Sequence, residues 1–276
     1  MGKYLSIDEV ALSQGELYTV VTNKKAKGKA GAIVAIIAGT KADVVISHLM
    51  KIPLNKRRQV EEITLDMAPN MKLIARTCFV KATQVIDRFH VQKLASEALQ
   101  EIRIKYRWEA IDQENEGILK AKNNNGVYRP KTFETGDTRK QLLARSRYLL
   151  YKSAEKWTKT QSLRAKILFE EYPDIQRAYR LSQQLREIFN SKKDKNIALT
   201  KLAQWYDKVE KSGFKSFTTI MNTVKLNYDG ILNYFINRST NASAESFNAK
   251  IKAFRSQFRG VRNVPFFLFR LTRIYA

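Results

Sequence analysis

The chain has 276 residues and carries 50 Lys+Arg against 26 Asp+Glu, a difference of 50 − 26 = +24. Hydrophobic residues make up 44% of it, with three Trp, twelve Tyr and fourteen Phe, which excludes a disordered polyelectrolyte and supplies a real core. One Cys and two His exclude an internal disulfide and are too few for a zinc ribbon.

The excess charge opposes compaction and attracts polyanions, nucleic acid first and a membrane surface second. It is spread along the chain: residues 1–90 hold 14 bases and 8 acids, 91–240 hold 29 and 17, and 241–276 hold 7 and 1. It therefore belongs to the folded body and is densest at the C-terminus. The longest apolar run, 30–39, is shorter than the ~20 residues of a spanning helix, and no signal-peptide pattern follows Met1. A reducing, cytoplasmic setting without membrane contact is expected.

In chain order, Tyr4–Leu12 alternates as a strand, Ser13-Gln14-Gly15 turns, and Glu16–Thr22 returns as a second strand. Lys24–Lys29 reads as a basic loop, and Ala32–Ala38 as a buried strand. Asp43–Lys51 reads as a helix ended by Pro53, Glu61–Asp66 as a short strand, Pro69–Thr77 as a helix with Pro in its first turn, and Thr83–Asp87 as a strand. From His90 the period changes from two to 3.6: Val91, Leu94, Ala95, Ala98, Leu99 and Ile102 form one apolar stripe. A loop runs from Asn123 to about Asp137. Helices are then expected at Thr138–Lys156, Gln161–Glu171, Asp174–Asn190, Asn196–Lys211 and Phe214–Tyr234.

Two acids sit on strands that otherwise look buried, Asp8 on the first and Asp66 at the end of the fourth. A single such Asp most simply caps the next turn. In a β-β-β-α-β order, however, the first and fourth strands can lie parallel and adjacent, which brings these two together. Neighbouring carboxylates repel unless a cation is shared, and their oxygens suit Mg²⁺ or Mn²⁺. Two such ions can activate a hydroxyl and stabilise the leaving oxygen of a phosphodiester. The only acid after Asp229 is Glu245. Asn241 or Ser243 can cap a helix there, placing Glu245 in its first turn. Asn248, Ala249 and Lys252 share its face, while Phe247, Ile251 and Phe254 form an apolar one.

At these residues the chain resembles a known family. Ser6-Ile7-Asp8-Glu9, Leu65-Asp66-Met67-Ala68, Val85-Ile86-Asp87-Arg88-Phe89-His90-Val91, the segment from Ala244 to Lys252, and Arg259-Gly260-Val261-Arg262-Asn263 with Phe266-Phe267 look like an insertion-sequence transposase of the DDE class. The likeness is to the ISL-three group and its ISAon-type members, and it runs nearly end to end. It implies an RNase-H-like α/β fold: a mixed sheet in the order β-β-β-α-β-α-β followed by a C-terminal helix. A large all-helical insertion is implied between residues 91 and 238, with the core formed by 1–90 and 239–276. It implies Asp8, Asp66 and Glu245 as the catalytic, metal-binding triad for two Mg²⁺ or Mn²⁺ ions. Asp87 and His90 match an auxiliary D-x-x-H element, and Lys252, Asn248, Lys250, Arg255 and Arg259 are the DNA-binding candidates.

The implied reaction is metal-dependent DNA cleavage and 3′-hydroxyl strand transfer, by a homo-oligomer on DNA at the bacterial nucleoid. The alternatives are an RNase-H-type nuclease without strand transfer and a non-catalytic DNA-binding remnant. Such transposases usually carry an N-terminal zinc ribbon and helix-turn-helix. Only seven residues precede Asp8, so the expectation is that either a separate zinc-ribbon or helix-turn-helix polypeptide recognises the element's ends or the chain is a truncated remnant, and no zinc is expected in this chain.

Overall fold

The computed structural model describes residues 1–12, 15–191, 194–257 and 263–276. The chain divides into two compact units, one formed by residues 1–90 with 227–276 and the other by residues 91–226.

The first unit is built on a five-stranded mixed sheet. Its strands are β1 (Tyr4–Ala11), β2 (Leu17–Asn23), β3 (Ile33–Ala38), β4 (Glu62–Leu65) and β5 (Thr83–Ile86), in the spatial order β3-β2-β1-β4-β5. β1 to β3 form an antiparallel meander. β4 then joins the other side of β1 in parallel, with Ser6 opposite Thr64, and β5 joins β4 in parallel, with Leu65 opposite Ile86. The crossover from β3 to β4 carries α1 (Ala42–Leu49) and a short helix absent from the sequence reading, α2 (Leu54–Arg57). α3 (Pro69–Cys78), with Pro at its start, connects β4 to β5. Leu5, Ile7, Ile63, Leu65, Met71 and Ile74 are fully buried, so the central strands and α3 share one core.

Three C-terminal helices complete this unit: α10 (Tyr228–Asn237), α11 (Ala242–Gln257) and α12 (Val264–Tyr275). Val10, Tyr18, Val20 and Ile33 from the sheet pack with Phe247 and Ile251 of α11 and Phe267 and Leu271 of α12. The apolar face read on the Glu245 helix is thus what seats it. Arg255 adds a polar tie: it is 7% exposed, and its guanidinium donates to Glu16 just before β2 at 3.1 Å and lies over the Phe267 ring.

The second unit is helical. α4 (Arg88–Asn123) runs for 36 residues, and the division between units falls inside it after His90. It is followed by α5 (Arg139–Arg145), α6 (Lys159–Glu171), α7 (Pro173–Asn190), α8 (Lys195–Ser212) and α9 (Lys215–Leu226). Thr138 and Thr158 each start a helix through a reciprocal capping box with a Gln three residues on. Gly213, at φ 71°, ends α8 in the left-handed region. Trp205 is buried with its ring N–H donating to the Leu181 carbonyl at 2.9 Å.

Two of the expected helices are broken, for physical reasons. Thr138–Lys156 is helical only to Arg145 and continues as two 3-10 turns. Arg103 and Gln100 of α4 donate to the Leu143 and Arg147 carbonyls, and the Trp157 ring donates to that of Leu149. These tertiary donors take the carbonyls that a longer helix would have used. Phe214–Tyr234 divides at Asn227, whose backbone is non-helical, and Lys72 of α3 contacts its side chain. α10 then belongs with the sheet, so the compact helical unit ends at 226 rather than at the expected 238.

If the α11 apolar face seats the helix, Ile251→Ala should destabilise the protein by about 2–5 kcal/mol in chemical denaturation. Lys252→Ala, one residue on and exposed, should stay within about 0.5 kcal/mol. Equal effects from the two would show that α11 is not seated by this face.

Candidate active site

The parallel pairing has a direct consequence for the acids. Asp8, Asp66 and Asp87 each lie two residues beyond a matched position: Ser6 pairs with Thr64, and Thr64 with Val85. Side chains alternate across a strand, so this register, continued past the last paired residues, sets the three acids in one row: Asp8 within β1, and Asp66 and Asp87 directly after β4 and β5. Neighbouring strands are about 4.8 Å apart. The row therefore sets like charges within repelling distance of one another.

α11 brings the fourth acid to this row. The Asn241 carbonyl accepts from the Glu245 N–H at 2.8 Å, which sets Glu245 in the first turn of the helix. His90 comes from the first turn of α4, which begins at Arg88 rather than after His90. Asp87, His90 and Glu245 each present one ligand atom within 4.8 Å of the other two. The tightest grouping among the described residues thus unites Glu245 with the two auxiliary candidates.

Asp8 and Asp66 lie outside that grouping, each with its own hydrogen-bond partners. Asp8 accepts from the Glu9 N–H at 2.9 Å and from the Asn248 amide at 2.7 Å. Asp66 accepts from the Ala68 N–H at 2.8 Å, the turn-capping bond that a strand-end Asp most simply makes. Asp87 is 1% exposed, and its Oδ2 is buried without a hydrogen-bond partner among the described residues. A buried, unmatched carboxylate oxygen beside an imidazole and a second carboxylate is a site that a divalent cation satisfies. The oxygen-rich donor set suits Mg²⁺ or Mn²⁺, and the imidazole favours the latter.

The electrostatics agree with the crowding. Burial pushes the Asp8 carboxyl above its ordinary range, the Asp66 and Asp87 charges add to this, and the Glu9 N–H and His90 oppose it. Burial also raises Glu245, with Asp87 and Asp8 adding and His90 opposing.

The five DNA-binding candidates separate. Lys252 is exposed on α11. Lys250 donates to the Gly28 carbonyl at 3.3 Å and so braces the basic loop. Asn248, 8% exposed, is turned onto Asp8, and Arg255 is turned onto Glu16. These two bonds point inward, away from the DNA-facing role expected of both residues. Arg259 lies outside the described residues, as does the side chain of Ser243.

Several polar residues of the site carried no sequence signal. Ser6 donates to Asn241 Oδ1, so the residue expected as a helix cap is a tie to β1 instead. Lys24, from the loop read as solvated, inserts beneath the row: its ammonium contacts Thr64 and donates to Glu62 at 3.3 Å, and Asn237 donates to Glu62 at 3.1 Å. Burial lowers the Lys24 pKa, with Glu62 opposing. In the helical unit, Arg145 and Arg164 hold the buried Asp137, while Trp157 packs against Phe169 and Tyr179. Tyr148 remains 67% exposed, with Arg147 over its ring.

A family model described as Transposase, of the DDE, ISL-three type, matches residues 5–271. No curated protein and no solved structure gives a significant match. Among the described residues, no helix is long and apolar enough to cross a membrane.

The raised carboxyls predict a pH signature. An acid with a higher pKa folded than unfolded binds protons on folding, so its favourable effect is complete at low pH and is lost as pH rises above its ordinary value, 4.5 for Glu245. Without divalent cations, Glu245→Gln should therefore raise Tm at pH 7, and the gain should vanish toward pH 4. Excess Mn²⁺ should stabilise the wild type more than the variant. A metal-free variant that melts below the wild type at pH 7 would contradict the crowded-acid reading.

Proposed function

We propose that this chain, which belongs to the ISL-three group of DDE transposases, is a catalytic body that cuts and joins DNA by metal-dependent phosphoryl transfer. The observation that carries the reading is the meeting of Asp87, His90 and Glu245 within 4.8 Å at the ends of parallel strands, with Asp8 beside them. In open α/β sheets, ligand sites collect at this end of the strands.

Asp8, Asp66 and Glu245 are proposed as the metal-binding triad, with Asp87 and His90 completing the donor set. Bound there, divalent cations make water or a 3′-hydroxyl more acidic and stabilise charge on the leaving oxygen. The chain's own groups do the rest. Burial keeps the carboxylates poorly solvated and ready for a cation. His90 tempers the negative charge on Asp8 and Glu245. Lys252, seven residues after Glu245 on the exposed side of α11, is proposed to meet a backbone phosphate. The +24 body supplies the non-specific attraction for DNA. Assembly as a homo-oligomer on paired DNA ends, with end recognition from a separate polypeptide, completes the proposal.

Glu245→Gln should abolish Mg²⁺-dependent strand cleavage and retain DNA affinity, measured by gel cleavage and by binding in EDTA. Lys252→Ala should weaken DNA binding and reduce its salt slope by about 1. An unchanged slope would remove Lys252 from the phosphate contacts. Purified wild type with Mg²⁺ should join cut element ends to target DNA. Hydrolysis of RNA–DNA hybrids without any joining would instead favour the RNase-H-type nuclease.

A further inference from the structure

Asn248 belongs to the basic face of α11 by sequence, yet its side chain is committed elsewhere. It is 8% exposed and donates from Nδ2 to Asp8 Oδ2 at 2.7 Å. An ionised carboxylate only accepts, so the amide must turn its NH₂ toward Asp8. That orientation leaves Asn248 Oδ1 buried and without a partner among the described residues. One of its two N–H groups is taken by Asp8 and its surface is covered, both of which argue against a DNA phosphate contact.

Asn241 makes the companion tie. It receives the Ser6 hydroxyl on Oδ1 and leaves its own Nδ2 buried and unmatched among the described residues. Ser6 and Asp8 lie on one face of β1, about 6.7 Å apart along the strand. Asn241 and Asn248 are separated by seven residues, about two helical turns. Glu245 sits between them, four residues after one and three before the other. The two amides thus set the register of the Glu245 helix against the Asp8 strand. Each leaves an unsatisfied polar atom in a buried place, and such atoms are uncommon without a compensating reason.

We propose that Asn248 is a positioning residue: its amide fixes the Asp8 carboxylate, and with it the spacing of Asp8 from Glu245, for binding a divalent cation. This rests on the metal reading above. A carboxylate free to rotate or repel must be ordered when the cation arrives, whereas one already held by an amide N–H is not. The unmatched Asn248 carbonyl oxygen is then available to accept a hydrogen from water brought in with the ion.

The test uses the full chain without DNA, measuring Mn²⁺ affinity by titration calorimetry and by electron paramagnetic resonance. Melting curves in EDTA monitor folding, and DNA affinity in EDTA is followed across salt. Asn248→Ala should weaken Mn²⁺ binding by about 10–100-fold with DNA affinity and salt slope unchanged. Asn248→Leu, which keeps most of the volume but no donor, should show the same loss and covers the case in which Ala unfolds. Asn248→Gln, which keeps the donor, should recover part of the affinity. Wild-type Mn²⁺ affinity in folded Ala and Leu variants would overturn the proposal. So would a parallel loss of DNA affinity in EDTA, which would return Asn248 to the DNA surface. Asp87→Asn separates the two levels. If it loses Mn²⁺ while the Asn248 variants do not, the metal reading stands and this one fails. If the wild type binds no Mn²⁺, both fail.

Discussion

The parallel pairing of β1 with β4 and of β4 with β5 is the constraint on which this site depends. Its register carries Asp8, within β1, into one row with Asp66 and Asp87, which directly follow β4 and β5, from positions far apart in the chain. No arrangement of neutral neighbours removes the repulsion within such a row. The surrounding structure must hold it together, and it does so mainly with apolar contacts. Phe247 and Ile251 pin α11 to the sheet, and the fully buried Leu5, Ile7, Ile63 and Leu65 pin the strands to one another. Burial of this kind stabilises by roughly 1.5–3 kcal/mol per large side chain. A few such residues are enough to keep a crowded carboxylate site folded before any cation binds.

Polar ties refine what the core holds. Ser6–Asn241, Asp8–Asn248 and Glu16–Arg255 all join α11 or its approach to the β1–β2 hairpin region. Lys24 and Asn237 meet on Glu62 below the row. Lys24 is the clearest compromise among them. Its charge is partly desolvated, but it sits among Glu62, Thr64 and the more distant Asp87, where a positive charge offsets the acids above it. Such a group steadies the acid row without entering it.

Much of this was legible in the residues, and the reasons are specific. The alternation of Tyr4–Ala11 and the apolar run of Ile33–Ala38 mark their strands, and the order of elements makes β1 and β4 parallel neighbours. Asp8 and Asp66 could be paired on that basis alone. Glu245 stood out as the lone acid among seven bases. The closer gathering of Asp87 and His90 with Glu245 needed two further facts: that β5 extends the parallel row, and that α4 begins at Arg88. Side-chain destinations were not legible at all. Asn248, Lys252 and Arg255 share one basic stretch of one helix, yet only Lys252 faces outward. What separates them is the presence of Asp8 and Glu16 across the interface, and these lie more than two hundred residues away in sequence. The truncated α5 is the same lesson in the backbone, since the Leu143 carbonyl within it and the Arg147 and Leu149 carbonyls after it are claimed by Arg103, Gln100 and Trp157, which no local propensity encodes.

The charge distribution now has a physical logic. The chain is strongly basic almost everywhere, and a small group of its acids, Asp8, Asp87 and Glu245 among them, gathers where solvent access is reduced. A DNA phosphate approaching that row without cations meets carboxylates at close range and low dielectric, which is repulsive. The same phosphate approaching a cation-filled row meets net attraction, reinforced by Lys252 and the surrounding bases. On the proposed metal reading, cation and DNA binding are coupled through one set of carboxylates, and by linkage each strengthens the other by the same factor. The same reading has the basic body attract DNA in either state, while the acid row makes the seating of the strand against α11 conditional on the metal.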